Sequence, residues 1–242
     1  MKEKPSITIV IPAYNESATI VETLKNVYEK HSMNFREIIV VDDCSSDGMV
    51  NELNKIKFKD LIVLRNSKNL GYGASLKKGV KLSNSEYVLT MDADGQHTSE
   101  HLNSIFENYS KYDAVIGSRE NFFHSNIYRL PGKLFIKLFS QFLTGEKIPD
   151  VNSGLRIVKK SILEKYMHLC PSGFSFSTTI TITLLYKNYD IFFTPIKVKK
   201  REKGKSSVKI SDGFNTILLI LRLATQFNPL KVFIPLSIIF FL

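Results

Sequence analysis

The chain has 242 residues, 43% of them hydrophobic and 23% charged, a balance that excludes wholesale disorder and gives length enough for one large α/β domain with an appendage. Lys and Arg number 33 against 23 Asp and Glu, and the resulting charge of +10 suits polyanionic partners such as nucleic acid, anionic lipid or phosphorylated substrates. Cys44 and Cys170 match no metal or redox spacing and give no disulfide framework, and no signal-peptide pattern precedes the first strand, so a reducing, cytosolic setting is expected for the N-terminal part.

Residues 6–11 (SITIVI) predict a buried strand stopped by Pro12, and residues 36–41 (REIIVV) and 61–64 (LIVL) repeat the pattern. Between the first two, residues 16–30 place Ile20, Leu24 and Val27 on one helical face, which gives a βαβ rhythm. A helix ending over 77–82, a strand at 86–91 (EYVLTM), a helix near 100–109 and a strand at 113–117 continue it. About the first 120 residues are therefore expected to form an open, mostly parallel α/β sheet flanked by helices. The second half is less regular. It holds a loop-rich stretch at 119–128, a helix at 134–143, the segment DVNSGLR (150–156), a helix at 175–186, a strand at 191–198 and a last helix at 212–225.

Open sheets of this kind bind ligands beyond the carboxyl ends of their strands. Those ends carry Pro12-Ala13-Tyr14-Asn15-Glu16, then Asp42-Asp43, then Asp92-Ala93-Asp94-Gly95-Gln96. Crowded carboxylates repel unless a cation joins them, and Asp92, Asp94 and the Gln96 amide can share a hard divalent ion whose open positions face phosphate. The competing structural role for Asp94 is a helix N-cap. Gly71 and Gly73 flank the start of a helix without the lysine of a phosphate-binding loop, and fit a turn with positive φ equally well. His31, His97 and His101 read as surface or capping groups, and Cys44 has no neighbour in sequence that would activate it.

Six segments, VIPAYNE (10–16), VVDDCSSDG (40–48), NLGYGASLKKG (69–79), MDADGQH (91–97), GSR (117–119) and DVNSGLR (150–156), occur in an order that resembles glycosyltransferase family 2. The similarity is strongest to its dolichyl- and polyprenyl-phosphate hexose (mannose or glucose) synthases. The resemblance implies a GT-A type open sheet over 1–210, with Pro12, Ala13, Tyr14, Glu16, Asp43 and Asp92 around the nucleotide and donor. It implies Mg²⁺ or Mn²⁺ on Asp92, Asp94 and Gln96 against the donor diphosphate, and Arg119 on sugar or phosphate. Asp94, Arg119 and Asp150 become the candidate catalytic residues, Asp150 nearest the attacking group. Arg129, Arg156 and Ser206 are candidates for the acceptor phosphate. Residues 197–209 carry seven basic residues against one acid and include Arg201, Gly204 and Ser206, matching an R-x-x-G-x-S element that closes on the diphosphate in the resembled synthases. A solvated loop or a patch resting on anionic lipid is the plainer alternative.

Residues 175–183 (SFSTTITIT) lack the carboxylate that family members often carry in this helix, which shifts weight to Asp150 or points to an acceptor that needs no base. A lipid phosphate is such an acceptor, being already ionised near neutral pH, and Asp150 would then orient rather than deprotonate. In the last predicted helix Phe214, Ile217, Leu218, Leu221 and Ala224 share a face, followed by FNPLKVFIPLSIIFFL (227–242). The final eleven residues, 232–242, fall short of the roughly 20 that cross a bilayer. Residues 211–242 are thus expected to be a membrane-associated amphipathic helix leading into a truncated transmembrane region, with the catalytic domain facing the cytoplasm. Burial against the domain or an oligomer contact competes with that.

The expected activity is inverting, metal-dependent transfer of a hexose from a UDP- or GDP-sugar to a polyprenyl or dolichyl phosphate at a membrane. Transfer to a sugar hydroxyl, and an inactive membrane-bound scaffold, are the alternatives. Nucleic acid is set aside as a partner because the chain has no recognition motif and no interleaved aromatic platform.

Overall fold

The computed structural model describes residues 5–119, 130–197 and 210–241. Its elements run β1 (Ile7–Ala13), α1 (Ile20–His31), β2 (Glu37–Asp42), α2 (Met49–Asn54), β3 (Leu61–Arg65), α3 (Tyr72–Leu82), β4 (Tyr87–Thr90), α4 (Ser99–Phe106) and β5 (Ala114–Arg119). After these come α5 (Leu130–Thr144), β6 (Arg156–Lys159), α6 (Lys160–Tyr166), α7 (Phe176–Tyr186), β7 (Ile191–Ile196), α8 (Ile210–Phe227) and α9 (Pro229–Phe241). The strands form one sheet in the order β3-β2-β1-β4-β6-β5-β7. All neighbours are parallel except β6, which runs antiparallel to both β4 and β5.

Alternation along the strands sorts side chains onto two faces. Ile7, Ile9 and Ile11 of β1, with Ile38 and Val40 of β2, pack against Ile20, Leu24 and Val27 of α1, Met49 and Leu53 of α2, and Leu102 and Ile105 of α4. On the other face Val10, Ile39, Val41 and Val88 meet Leu76 and Val80 of α3, Ile162 and Leu163 of α6, and Ile180 and Leu184 of α7. A third cluster lies off the sheet, where Ile136 of α5, Ile182 of α7, Ile220, Leu223 and Ala224 of α8 and Val232 of α9 are buried together.

Several expectations need correction. β1 does not stop at Pro12 but runs on to Ala13, because its ladder with β4 ends at Val10 and the missing N–H of proline falls where no partner is required. The sheet does not end near residue 120: β7, the strand expected at 191–198, extends it, together with β6, which was not expected and begins at the last residue of DVNSGLR. The four residues of β6, of which only Ile157 and Val158 are hydrophobic, leave no period to detect. One face of α8 is buried against α5 and α7, so this helix is integral to the packing of the domain. Among the described residues no helix is long and apolar enough to cross a membrane.

α3 approaches β1 closely because Gly79 faces Val10, whose Cγ1 would overlap a Cβ built on the glycine. Gly79→Val is expected to overpack this contact, lowering stability by about 1–3 kcal/mol. A urea-denaturation midpoint unchanged from wild type would show that α3 can withdraw from the sheet at little cost.

Candidate active site

At the carboxyl edge of β1, β2, β4 and β5 the loops converge on one crevice. β6 enters from the opposite direction, so its amino end faces the same edge and delivers residues 150–155 to the crevice. Thr90 Oγ1 donates to Gly154 O at 2.8 Å and Gly117 N–H donates to Leu155 O at 3.0 Å, pinning that segment to β4 and β5.

The loops after β1 and β2 are laced together. Asn15 N–H donates to Ser45 Oγ at 2.9 Å, Ser46 N–H to Asn15 Oδ1 at 2.9 Å, and Ser17 N–H to Asp47 Oδ2 at 2.8 Å. Asn15 and Cys44 both adopt positive φ, 57° and 64°, which these turns require. Pro12 and Ala13 are buried at the end of β1, Tyr14 is exposed at the rim, and Glu16 is partly buried with Oε2 accepting from Thr19 Oγ1 at 3.1 Å.

Asp43 is buried and its carboxylate is heavily engaged. Oδ1 accepts from Asn66 Nδ2 and Leu70 N–H, and Oδ2 accepts from Gly71 N–H, each at 2.8 Å. The side chain expected to reach for a nucleotide base thus braces the 66–71 loop. Gly71, at φ +97°, needs its left-handed backbone, and an added Cβ would stand 2.6 Å from Ser172 O. Gly73 is likewise covered by Pro171 O, so both glycines serve a turn and a close approach of the 171–173 loop.

After β4, Ala93 is buried, and its carbonyl accepts from Thr19 Oγ1 at 3.0 Å, which fixes the backbone between the two flanking aspartates. Asp94 Oδ1 accepts from Gln96 N–H at 3.2 Å. Asp94 does not cap α4. The N-cap is Thr98, whose N–H donates to His101 Nδ1 at 3.1 Å.

Asp92 is held from several sides. Tyr72 donates its hydroxyl to Oδ1 at 2.9 Å, and His97 Nε2 stands 3.9 Å from Oδ2. A Cβ on Gly154 would overlap this carboxylate, so the position tolerates only glycine while Asp92 keeps its place. Burial pushes the Asp92 carboxyl up, but His97, the Tyr72 hydroxyl and the charge of Arg119 together hold it below its ordinary value. Burial and the charge of Asp92 push Tyr72 well above the usual tyrosine range, so its hydroxyl stays protonated and donates.

Arg119 and Asp150 form a bidentate pair. Nε donates to Oδ2 at 2.6 Å and Nη2 to Oδ1 at 3.0 Å, while Asn152 N–H adds a third bond to Oδ1 at 3.0 Å. Asp150 is 5% exposed, and its Arg119 partner keeps 39% of its side chain open to the crevice. Burial pulls the arginine down, yet Asp150, with Asp92 and Asp94 behind it, raises its pKa. The same pairing outweighs burial at Asp150 and holds its carboxyl below the usual range. A carboxylate so engaged is a poor proton acceptor and a good orienter.

Arg156, expected at the acceptor phosphate, is 0% exposed and is corrected to a structural role. Its Nη1 donates to Ser177 O and Thr181 Oγ1, both at 2.9 Å, and its Nη2 donates to Ser153 O, tying the crevice loop to α7. The expectation failed because a guanidinium in a polar motif looks surface-bound, whereas here α7 supplies oxygens in place of water. Arg129, Arg201 and Ser206 lie outside the described residues.

Asp92, Asp94, Arg119 and Asp150 thus share one crevice. Tyr72, His97 and Gly154 belong with them, and His97, expected as a surface or capping group, instead has its side chain 6% exposed beside Asp92. Tyr72 stands between the two glycines and Gly154 inside DVNSGLR, so the signal lay in their neighbours. Among the described residues no group of three or more His, Cys, Asp and Glu side chains converges to hold a metal ion. Asp92, Asp94 and Gln96 offer oxygen donors of the kind that suit a hard divalent cation whose remaining positions go to phosphate oxygens and water.

The model of the family described as Glycosyl transferase family 2 matches residues 8–167. Among curated proteins, an undecaprenyl-phosphate 4-deoxy-4-formamido-L-arabinose transferase of Pseudomonas paraeruginosa is 29% identical over 211 residues, 85% of this chain and 60% of that protein. A transferase of the same name from Edwardsiella ictaluri is 24% identical, over 94% of this chain and 71% of its own. An uncharacterized protein of Methanocaldococcus jannaschii is 31% identical over 63% of this chain and 64% of its own length. The chain thus spans about three fifths of the first two relatives named in sequence similarity, from M. jannaschii and P. paraeruginosa. Among solved structures, glucosyl-3-phosphoglycerate synthase from Mycobacterium tuberculosis, in complex with Mn²⁺, UDP and phosphoglyceric acid, superposes with a TM-score of 0.72 at 15% identity, over 91% of this chain and 78% of that one. A likeness at that identity establishes a shared fold.

Asp150, whose folded-state pKa is depressed, contributes stability that is complete above its unfolded-state value of about 4 and is lost as the pH falls through the lower folded-state value. Asp150→Asn is expected to be less stable at neutral pH and to lose less stability between about pH 5 and pH 2. Chemical denaturation at stepped pH measures both; parallel curves for variant and wild type would deny the ion pair this role.

Proposed function

Because the chain belongs to glycosyl transferase family 2, we propose that it transfers a hexose from a UDP- or GDP-sugar to a polyprenyl phosphate, with inversion at the anomeric carbon. The observation that carries this reading is the meeting of Asp92 and Asp94 with the Arg119–Asp150 pair at the carboxyl edge of the sheet. In it, Asp92, Asp94 and Gln96 hold Mg²⁺ or Mn²⁺, which when bound neutralises charge developing on the leaving diphosphate. Arg119, with its side chain partly open, offers a second positive group to the same oxygens, and Asp150 holds that guanidinium in place. Pro12, Ala13, Tyr14 and Glu16 form the rim on which the nucleoside would rest, beside the loop that Asp43 braces.

The acceptor follows from what Asp150 can do. A sugar hydroxyl needs its proton removed, whereas a lipid phosphate is already an anion near neutral pH. With both Asp150 oxygens engaged by Arg119 and Asn152, the arrangement favours the phosphate. Two of the curated relatives carry names for transfer to undecaprenyl phosphate, which supports the same choice.

Membrane association, with the crevice on the cytoplasmic side, is part of this proposal. Leu134, Leu138 and Phe142 recur every fourth residue on α5 and are exposed, and Phe233, Ile234 and Ile238 are exposed on α9. Exposed apolar rows of this kind are costly in water and suited to a lipid interface.

Two measurements test the proposal. With a panel of UDP- and GDP-sugars, a short polyprenyl phosphate and Mg²⁺ or Mn²⁺, wild type should transfer one sugar to the lipid, and Asp94→Ala should be slower by about a hundredfold or more. Transfer without divalent metal, or to sugar hydroxyls alone, would overturn the reading. Phe142→Asp should leave more protein unbound in flotation with anionic vesicles, and equal flotation would remove α5 from the membrane contact.

A further inference from the structure

Tyr72 sits at the start of α3, at the point where three independent constraints meet. Its hydroxyl donates to Asp92 Oδ1 at 2.9 Å. Its ring stacks on Phe174 with centroids 5.9 Å apart and planes 19° from parallel. The residues before it are clamped by Asp43, which accepts from Leu70 N–H and Gly71 N–H, while Asn66 bridges Asp43 Oδ1 and Ser75 Oγ on α3. Across the carboxylate, the backbone of Gly154 leaves no room for Asp92 to retreat.

We propose that Tyr72 is a positioning residue: its hydroxyl fixes the rotation of the Asp92 carboxylate so that the group is set for a divalent cation before the cation arrives. The inference rests on the reading of Asp92 as a cation ligand. Carboxylates that bind metals are commonly held by a hydrogen bond from behind, and losing such a partner typically weakens metal binding 10–100-fold. Asp43 enters this chain of contacts at one remove. By bracing the 66–71 loop it sets where α3 begins, and so where the tyrosine hydroxyl points. The loop between the nucleotide side of the crevice and the cation side is thereby one rigid connection rather than two independent parts.

The test is Mn²⁺ binding, followed by electron paramagnetic resonance of the free ion, with saturating UDP and separately with GDP. Wild type, Tyr72→Phe, Phe174→Leu and Asp92→Asn are compared, with melting temperatures taken in the absence of metal. Tyr72→Phe keeps the ring and removes only the donor, so its Mn²⁺ dissociation constant is expected to rise about tenfold or more with a melting temperature within a few degrees of wild type. Phe174→Leu removes the stacking and keeps the donor, and is expected to bind Mn²⁺ within about threefold of wild type. An unchanged dissociation constant for Tyr72→Phe, alongside a weakened Asp92→Asn, overturns this inference alone. Equal weakening by Phe174→Leu would assign the effect to ring packing and overturn it as well. If Asp92→Asn binds Mn²⁺ as tightly as wild type, or wild type binds none, the reading of Asp92 as a ligand falls and this inference falls with it.

Discussion

Where β4 and β6 run antiparallel, their backbones come so close at the crevice that the carboxylate of Asp92 occupies the space a side chain on residue 154 would need. Much else is arranged around that contact. The loop bearing Gly154 is tied to β4 through Thr90, to β5 through Leu155 and to α7 through Arg156. The same loop carries Asp150 to Arg119 at the end of β5. Because β6 is inserted head-down between two upward strands, a segment 60 residues away from Asp92 in sequence becomes its nearest wall.

The crevice gathers carboxylates, the buried Asp43 and Asp150 and the half-buried Asp92, and each is compensated in its own way. Asp43 takes backbone and amide N–H groups, Asp150 takes a guanidinium, and Asp92 takes a tyrosine hydroxyl with an imidazole nearby. Burying an ionised carboxylate without such partners would cost several kcal/mol. Their presence explains how so much negative charge persists at one edge of the sheet. It also sets the division of roles proposed above: the groups that are most engaged hold loops and side chains in place, and the Asp92–Asp94 edge and the Arg119 side chain face the crevice. Such fixed dipoles and charges need little reorganisation when a charged ligand enters.

The third apolar cluster gives the fold an asymmetric shoulder. Ile136, Ile220, Leu223, Ala224 and Val232 bind α5, α8 and α9 to α7, and exposed apolar side chains such as Leu138, Leu218 and Phe233 stand on the outer sides of these helices. α7 therefore joins two regions. One of its sides packs under the sheet, and residues Ser177 and Thr181 hold the Arg156 guanidinium behind the crevice. The segment that in sequence registers only as a missing carboxylate supplies the Thr181 hydroxyl and the Ser177 carbonyl that help make a fully buried arginine tolerable.

The parallel strands β1 to β5, the helices α1, α3 and α4 and the acidic residues at the strand ends were legible in the chain, because β-branched runs and helical periodicity are local signals that survive without tertiary context, while the six-residue α2 is too short to show a period. The parallel strands also put Asp43, Asp92 and Asp94 on one edge, since a parallel sheet keeps its carboxyl ends together, whereas Arg119 and Asp150 were indicated only by the family resemblance. The antiparallel insertion of β6, the seat of Asp92 on Gly154, the hydrogen bond from the Tyr72 hydroxyl and the burial of Arg156 emerge from the packed chain alone. β6 is too short to show a period, and the other three are contacts between residues 20 or more positions apart, whose existence depends on strand register and on which helix covers which loop. Pairing of that kind is a property of the packed chain, which no window of sequence contains.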